Sequence, residues 1–332
     1  LTAAVVLAVT ALPMTAFAAK KDGAEEKITK VTLNEVAHSI FYAPQYVAIE
    51  EGYFAEEGLD LTLVTGFGAD KVLTALISGE ADIGFMGAEA SIYAYQEGAT
   101  DPAVNFAQLT QRAGNFLVAR EEMSDFKWED LKGKKVLGGR KGGMPEMVFE
   151  YILKKNGIDP QKDLTIDQSI DFGSTAAAFT GDDSAAYTVE FEPSATILEK
   201  EGAGYVVASL GEASGYVPYT SYSAKESYMK ENPEIIQKFT NALQKGMDYV
   251  QSHTPEEIAE VIAPQFKETD LDTITTIVKR YYDQDTWKEN LIFEKDSFEL
   301  LQDILEDAGE LNTRAEYEKL VQTEYAQKAC ES

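Results

Sequence analysis

Four short stretches of this chain gather side chains able to engage a small molecule. The most distinctive is Gly138-Gly139-Arg140-Lys141-Gly142-Gly143-Met144-Pro145. Four glycines around two cations, ahead of a helix start, form a cradle in which backbone N–H groups and Arg140 could hold an anion. A flexible turn carrying a solvated basic pair is the alternative. No Gly-Lys-Ser/Thr closes the run and dinucleotide spacing is absent, so nucleotide phosphate loops of both common kinds are excluded. The candidates here are Arg140, Gly142, Gly143 and Met144. A second stretch, Ala37-His38-Ser39-Ile40-Phe41-Tyr42, offers Ser39 as a hydrogen-bonding group and Phe41 or Tyr42 as a ring to stack on a flat guest. Closing a core is the other use for such rings. In the third, Met86-Gly87-Ala88-Glu89, glycine admits close backbone approach and Glu89 either meets a guest or favours a helix start. The fourth, Tyr187-Thr188-Val189-Glu190-Phe191-Glu192-Pro193, spaces Glu190 and Glu192 two residues apart, with Thr188 two before them. In an extended chain that spacing aims all three to one side.

Acids outnumber bases, 57 to 29, for a net charge of −28. That field repels phosphate backbones and anionic headgroups, so nucleic acid and lipid surfaces are poor partners. The acidity serves solubility, or attraction of a cationic solute. Cys330 is the only cysteine, so neither a disulfide framework nor a cysteine metal cluster forms within one chain. The two histidines, His38 and His253, show no zinc-type spacing, and a Ser-His-Asp triad would need one of them.

The four stretches lie in loops of a repeating pattern. Strand-like runs fall at 31–36, 59–64, 83–86 and 103–109, separated by helical stretches at 44–51, 70–78 and 89–96. A second set has strands at 135–138, 164–168, 185–188 and 206–209, with helices at 145–155, 174–180 and 193–201. Strand–helix alternation with short loops predicts a mainly parallel sheet covered on both faces. The sets echo each other. Gly79-Glu80-Ala81-Asp82, a strand, then Glu89-Ala90-Ser91 matches Gly181-Asp182-Asp183-Ser184, a strand, then Glu192-Pro193-Ser194. Pro44 and Pro145 each sit in a first helical turn, where the missing N–H has no partner to lose. Two similar α/β lobes follow. In open α/β sheets guests bind at the carboxyl ends of strands, where the four loops lie.

Extended segments 114–120 and 217–224 read as two crossings between lobes. The first lobe is then 28–115, an inserted second lobe 116–218, and 219–332 a return to the first lobe with C-terminal helices. Helix starts of the cap-plus-proline kind stand at Asn232-Pro233 and Thr254-Pro255. Ile235, Ile236, Phe239, Leu243, Met247 and Val250 form a 3.6-period packing stripe. At the other end, an apolar run to Leu12, Pro13 and Ala16-Phe17-Ala18 reads as a cleavable signal peptide over 1–18, followed by a polar tether over 19–27. An extracytoplasmic location (periplasm or cell surface) is expected. No cysteine ends the apolar run, so a lipid anchor of the usual bacterial kind is not expected.

The blocks Ala43-Pro44-Gln45-Tyr46-Val47-Ala48, Glu51-Gly52-Tyr53-Phe54-Ala55-Glu56-Glu57-Gly58-Leu59, Leu76-Ile77-Ser78-Gly79-Glu80-Ala81-Asp82-Ile83-Gly84 and Asp130-Leu131-Lys132-Gly133-Lys134-Lys135-Val136 carry a family resemblance. With them the chain, from about residue 28 to its C-terminal helices, resembles the ABC-importer solute-binding proteins of the nitrate/sulfonate/taurine and thiamine-pyrimidine-precursor (SsuA/THI5-like) family. The resemblance implies an α/β, type II periplasmic-binding-protein fold: two Rossmann-like lobes joined by two hinge strands, with a helical C-terminal segment. It implies capture of a small organic solute between the lobes by a monomer, without cofactor or catalysis, and delivery to permease subunits. Pyrimidine-precursor binders commonly carry Trp after the first strand and Asn-His before the first helix; here those places hold Glu35-Val36-Ala37 and Tyr42-Ala43. The enzymatic branch of the fold uses a cysteine-rich motif that one cysteine cannot supply. The acids favour an amino-substituted heteroaromatic guest, and the Arg140 loop an alkanesulfonate- or nitrate-like anion.

Overall fold

The computed structural model describes residues 28–332; the expected signal peptide (1–18) and tether (19–27) lie outside the described residues. Ten strands form. They are β1 (Thr29–Glu35), β2 (Leu59–Thr65), β3 (Ile83–Met86), β4 (Ala103–Thr110), β5 (Phe116–Ala119), β6 (Lys135–Leu137), β7 (Thr165–Asp167), β8 (Tyr187–Glu190), β9 (Tyr205–Ser209) and β10 (Thr220–Lys225). One sheet has the order β2-β1-β3-β10-β4 and the other β7-β6-β8-β5-β9. The chain thus leaves the first sheet after β4, completes the second, and returns as β10. This is the two-lobed arrangement of periplasmic binding proteins.

Each sheet contains a strand that breaks the parallel rule. β1 runs parallel to β2 and β3, but β10 is antiparallel to β3 and β4. Likewise β6 is parallel to β7 and β8, while β5 is antiparallel to β8 and β9. Both exceptions are the first strands after a crossing. A chain arriving from the other lobe enters at the carboxyl ends of the parallel strands and can only run back down the sheet. The extended segments read as crossings are therefore largely these two strands. The crossings proper are tied together by Val217 N–H to Gln111 O (2.9 Å) and Tyr219 N–H to Thr110 O (3.3 Å).

The helices Ala43–Glu50, Ala69–Ser78, Glu89–Gln96, Met144–Lys155, Phe172–Gly181 and Ser194–Lys200 fall within about two residues of the sequence expectation. Gly79 ends the second of them in the left-handed region (φ 82°), where a side chain would be strained. β8 lies two residues later than its apolar run suggests, because Phe116–Ala119 pairs with residues 190–187 and carries the strand through Glu190. After β10 the chain is helical. Pro233–Ser252 buries Ile236, Phe239, Leu243, Met247 and Val250, the expected stripe, with Ile235 half-buried beside them. Thr254 caps Pro255–Ile262 in a reciprocal box with Glu257. Leu271–Asp283 begins at Asp270, which accepts from Thr273 N–H, and buries Ile274, Ile277, Val278 and Tyr281. Among the described residues no helix is long and apolar enough to cross a membrane. One apolar core cluster draws on both sheets.

Candidate ligand-binding site

The site is built where the carboxyl ends of β1, β3, β6 and β8 meet the crossings. At the end of β1, Glu35 is fully buried and accepts from Gln45 Nε2 (2.8 Å), Tyr46 O–H (2.7 Å) and Thr65 O–H (2.9 Å). His38 bridges Glu35 (2.7 Å) to the Gln265 carbonyl (2.8 Å). The Glu35 contact raises the imidazole above its usual pKa, with burial opposing. This network anchors the loop that follows. Ser39 caps the 3-10 turn Ile40–Tyr42, accepting from Phe41 N–H, and donates to the Glu192 carbonyl of the other lobe at 3.2 Å. Phe41 and Tyr42 are both buried. Phe41 sits among Tyr42, Phe191, Tyr219 and Tyr281, with centroids 5.1–6.3 Å away, and Tyr42 meets Phe85 edge-on at 4.5 Å. Residues from both lobes and the second crossing thus form one aromatic wall.

At the end of β3, Gly87 has a steric reason for being glycine. A Cβ there would overlap the Glu89 carboxylate, which folds back over it. Ala88 and Glu89 are buried. Burial pushes Glu89 up to about 7, against the opposing hydrogen bonds of its own amide and that of Met144 in the other lobe. Its Oε2 has no partner.

The glycine-rich loop is arranged otherwise than a cradle of cations. Arg140 is exposed and paired with Asp171, and Lys141 is exposed, 3.7 Å from Glu310. What this loop brings to the lobe interface is backbone. The Gly142 carbonyl accepts from Tyr93 O–H across the lobes at 3.0 Å. Gly142 adopts φ 86°, Gly143 caps the helix Met144–Lys155, and Met144 is buried beside Glu89.

At the end of β8 the two acids part company. Glu190 is fully buried, accepts from Thr188 O–H at 2.6 Å, and leaves Oε2 unpartnered. Burial raises it to about 7, against the hydroxyls of Thr188 and Thr175. Glu192, expected to face a guest beside it, is engaged by the protein instead. Arg280 donates to it at 2.9 Å, Thr196 O–H at 2.8 Å and Thr196 N–H at 2.9 Å. Burial still raises it, with those partners opposing. Arg280 also reaches Glu199 at 2.5 Å, so the helix Leu271–Asp283 clamps the second lobe.

Sequence reasoning did not single out four residues that the structure brings here. Asn115, fully buried, and Tyr219, 3% exposed, lie on the two crossings. Both Asn115 amide atoms and the Tyr219 hydroxyl lack partners. Arg280 and Tyr281 come from a helix far along the chain; Tyr281 O–H donates to the Gly114 carbonyl at 2.6 Å. The crossings were legible as extended segments, but nothing local marked Arg280. Chemically, the interface offers carboxyl oxygens, an amide, a phenol and aromatic faces. Of its basic groups, Arg280 is paired with Glu192 and Glu199, while Arg112 on the first crossing donates to the Gly211 carbonyl at 3.1 Å and leaves its Nε unpartnered.

A sequence model of the family described as NMT1/THI5 like matches residues 40–258. YtlA of Bacillus subtilis (strain 168), named provisionally as a binding protein, is 48% identical over 304 residues, covering 92% of this chain and 91% of YtlA. A 4-amino-5-hydroxymethyl-2-methylpyrimidine phosphate synthase of Aspergillus parasiticus is 26% identical over 225 residues, 63% of each chain. Among solved structures, the alkanesulfonate-binding protein SsuA from Xanthomonas axonopodis pv. citri superposes with a TM-score of 0.71 at 15% identity. It covers 90% of this chain and 99% of SsuA. At that identity the likeness carries the fold alone.

Proposed function

The chain belongs to the NMT1/THI5-like family, and from that membership we propose that it is the exported capture component of an importer. It closes its two lobes on a small organic solute and hands it to permease subunits in the membrane, with no chemical conversion. The apolar run ending in Ala16-Phe17-Ala18 supports export, and the likeness to YtlA supports a binding role. Against conversion stands the single cysteine, Cys330, where the synthase branch uses a cysteine-rich motif.

The ligand is a flat heteroaromatic bearing amino groups, of the pyrimidine-precursor class. One observation carries this reading. Glu89, which opens the helix after β3, and Glu190, which ends β8, are both buried with one oxygen unpartnered, while Arg140 and Lys141 are exposed and paired elsewhere. A buried carboxylate oxygen left without a donor is disfavoured, so the unmet Oε2 of each acid calls for an N–H donor on the guest. A sulfonate or nitrate brings only acceptors and negative charge. The aromatic wall of Phe41, Tyr42 and Tyr219 suits a flat ring.

The test is titration calorimetry of the mature protein with 4-amino-5-hydroxymethyl-2-methylpyrimidine and with ethanesulfonate, paired with small-angle scattering. Binding of the aminopyrimidine with a smaller radius of gyration is the expected result. Binding of ethanesulfonate and not of the aminopyrimidine overturns the ligand reading.

A further inference from the structure

Among the described residues, Asn115 is the one side chain with two orphaned polar atoms. It is fully buried, and neither Oδ1 nor Nδ2 has a partner. Buried amides are hydrogen-bonded in the great majority of cases, so a sealed and unmet one asks for an explanation. Its main chain is fixed. The Asn115 carbonyl accepts from Leu210 N–H at 3.0 Å, and the neighbouring Gly114 carbonyl accepts from Tyr281 O–H at 2.6 Å. A Cβ on Gly114 would meet the Phe41 ring at 2.6 Å, and Phe116 packs against Tyr281 at 5.8 Å. Sides alternate along extended chain, so Asn115, between these two, turns away from that aromatic cluster. Tyr219 is its counterpart on the second crossing. It is buried, its hydroxyl is unpartnered, and burial above all raises its phenol, with Tyr42 and Glu89 adding to the effect.

We infer that Asn115 and Tyr219, one on each crossing between the lobes, contact the ligand directly and read a flat edge in which a hydrogen-bond acceptor lies beside a donor. This rests on the reading of the interlobe space as the ligand site. A carboxyl group such as Glu89 or Glu190 in its ionised form only accepts. A primary amide accepts and donates side by side in one plane. Its complement is a ring nitrogen beside an exocyclic amine, or a ring lactam. An alkanesulfonate presents acceptors alone and leaves Asn115 Oδ1 unmet. Asn115 is therefore the specificity-determining group of the pair, and Tyr219 adds one hydroxyl from the other crossing. Because both stand on the crossings, the lobes cannot close fully on a guest without its edge being tested there.

The experiment compares Asn115→Leu and Tyr219→Phe with wild type, as full mature chains. It measures apo melting temperature, and calorimetric affinity for 4-amino-5-hydroxymethyl-2-methylpyrimidine, riboflavin and ethanesulfonate. An amide with no protein partner is dispensable to the apo fold, so Asn115→Leu, of similar shape, is expected to raise the apo melting temperature. It should also weaken whichever ring compound wild type binds by at least tenfold. Tyr219→Phe should leave apo stability level or higher and weaken the same compound about threefold. A fall in apo melting temperature for Asn115→Leu overturns the inference whatever the affinity does, because it reveals a structural amide. Unchanged ring affinity overturns it as well. If wild type binds ethanesulfonate alone, the amino-heteroaromatic reading fails, and an unchanged ethanesulfonate affinity in Asn115→Leu then removes Asn115 from the site too. If no probe binds wild type, the apo melting temperature decides, a rise supporting the inference and a fall overturning it.

Discussion

Replacing Glu190 by glutamine exchanges a buried carboxyl for a neutral group of the same shape, and the consequence depends on pH. In the folded chain burial raises this carboxyl from 4.5 to about 7. Below about pH 4.5 it is protonated in both folded and unfolded chains, and burial carries no charge penalty. As pH rises towards 7 the unfolded chain ionises first, so folding stability falls. Above about 7 the penalty is complete, about 3 kcal/mol at 1.36 kcal/mol per pKa unit. Glutamine keeps an acceptor for Thr188 and cannot ionise. Glu190→Gln should therefore stabilise the ligand-free protein by up to about 3 kcal/mol at pH 8, a rise of about 6 °C in melting temperature. At pH 5 the rise should be under about 2 °C. The same change should weaken the amino-bearing ligand at least tenfold, about 1.4 kcal/mol. Differential scanning calorimetry at the two pH values, without ligand, reads the first effect. A lower melting temperature at pH 8, or equal shifts at both pH values, would refute the reasoning.

The remaining predictions follow from the neighbouring contacts. Arg280→Ala leaves Glu192 buried with only Thr196, so it should destabilise by about 2 kcal/mol or more and enlarge the ligand-free radius of gyration in scattering; an unchanged melting curve and profile count against the clamp. Arg140→Ala removes an exposed pair, and calorimetry should find affinity within about threefold of wild type, since such pairs contribute about 0–1 kcal/mol. Gly87→Ala places a methyl where the Glu89 carboxylate lies, so affinity should drop at least tenfold while far-UV circular dichroism stays native. N-terminal sequencing of protein recovered outside the cytoplasmic membrane should begin near Ala19; recovery of residues 1–18 intact contradicts export by a cleaved signal.

Alternation of β-rich and amphipathic runs was enough to place eight strands and six helices, because strand and helix periods are local properties of the chain. Pro44, Pro145 and Thr254-Pro255 marked helix starts for the same reason, since capping and proline geometry act within one turn. The four loops at the strand ends were legible too, and Glu89 and Glu190 were among their candidates. What each acid does was not legible. Glu190 and Glu192 stand two residues apart with the same chemistry, yet one keeps an unmet oxygen and the other is claimed by Arg280, 88 residues away. Arg140 looked free in the sequence, and Asp171, 31 residues on, takes it. The antiparallel sense of β5 and β10 came only from the two crossings between lobes, and the burial of Asn115 and Tyr219 only from tertiary packing. Local sequence decides which elements form and which groups stand at their ends. Only tertiary packing decides which of those groups find partners in the protein and which are left for a guest, because hydrogen bonds and ion pairs join residues that no short-range pattern relates.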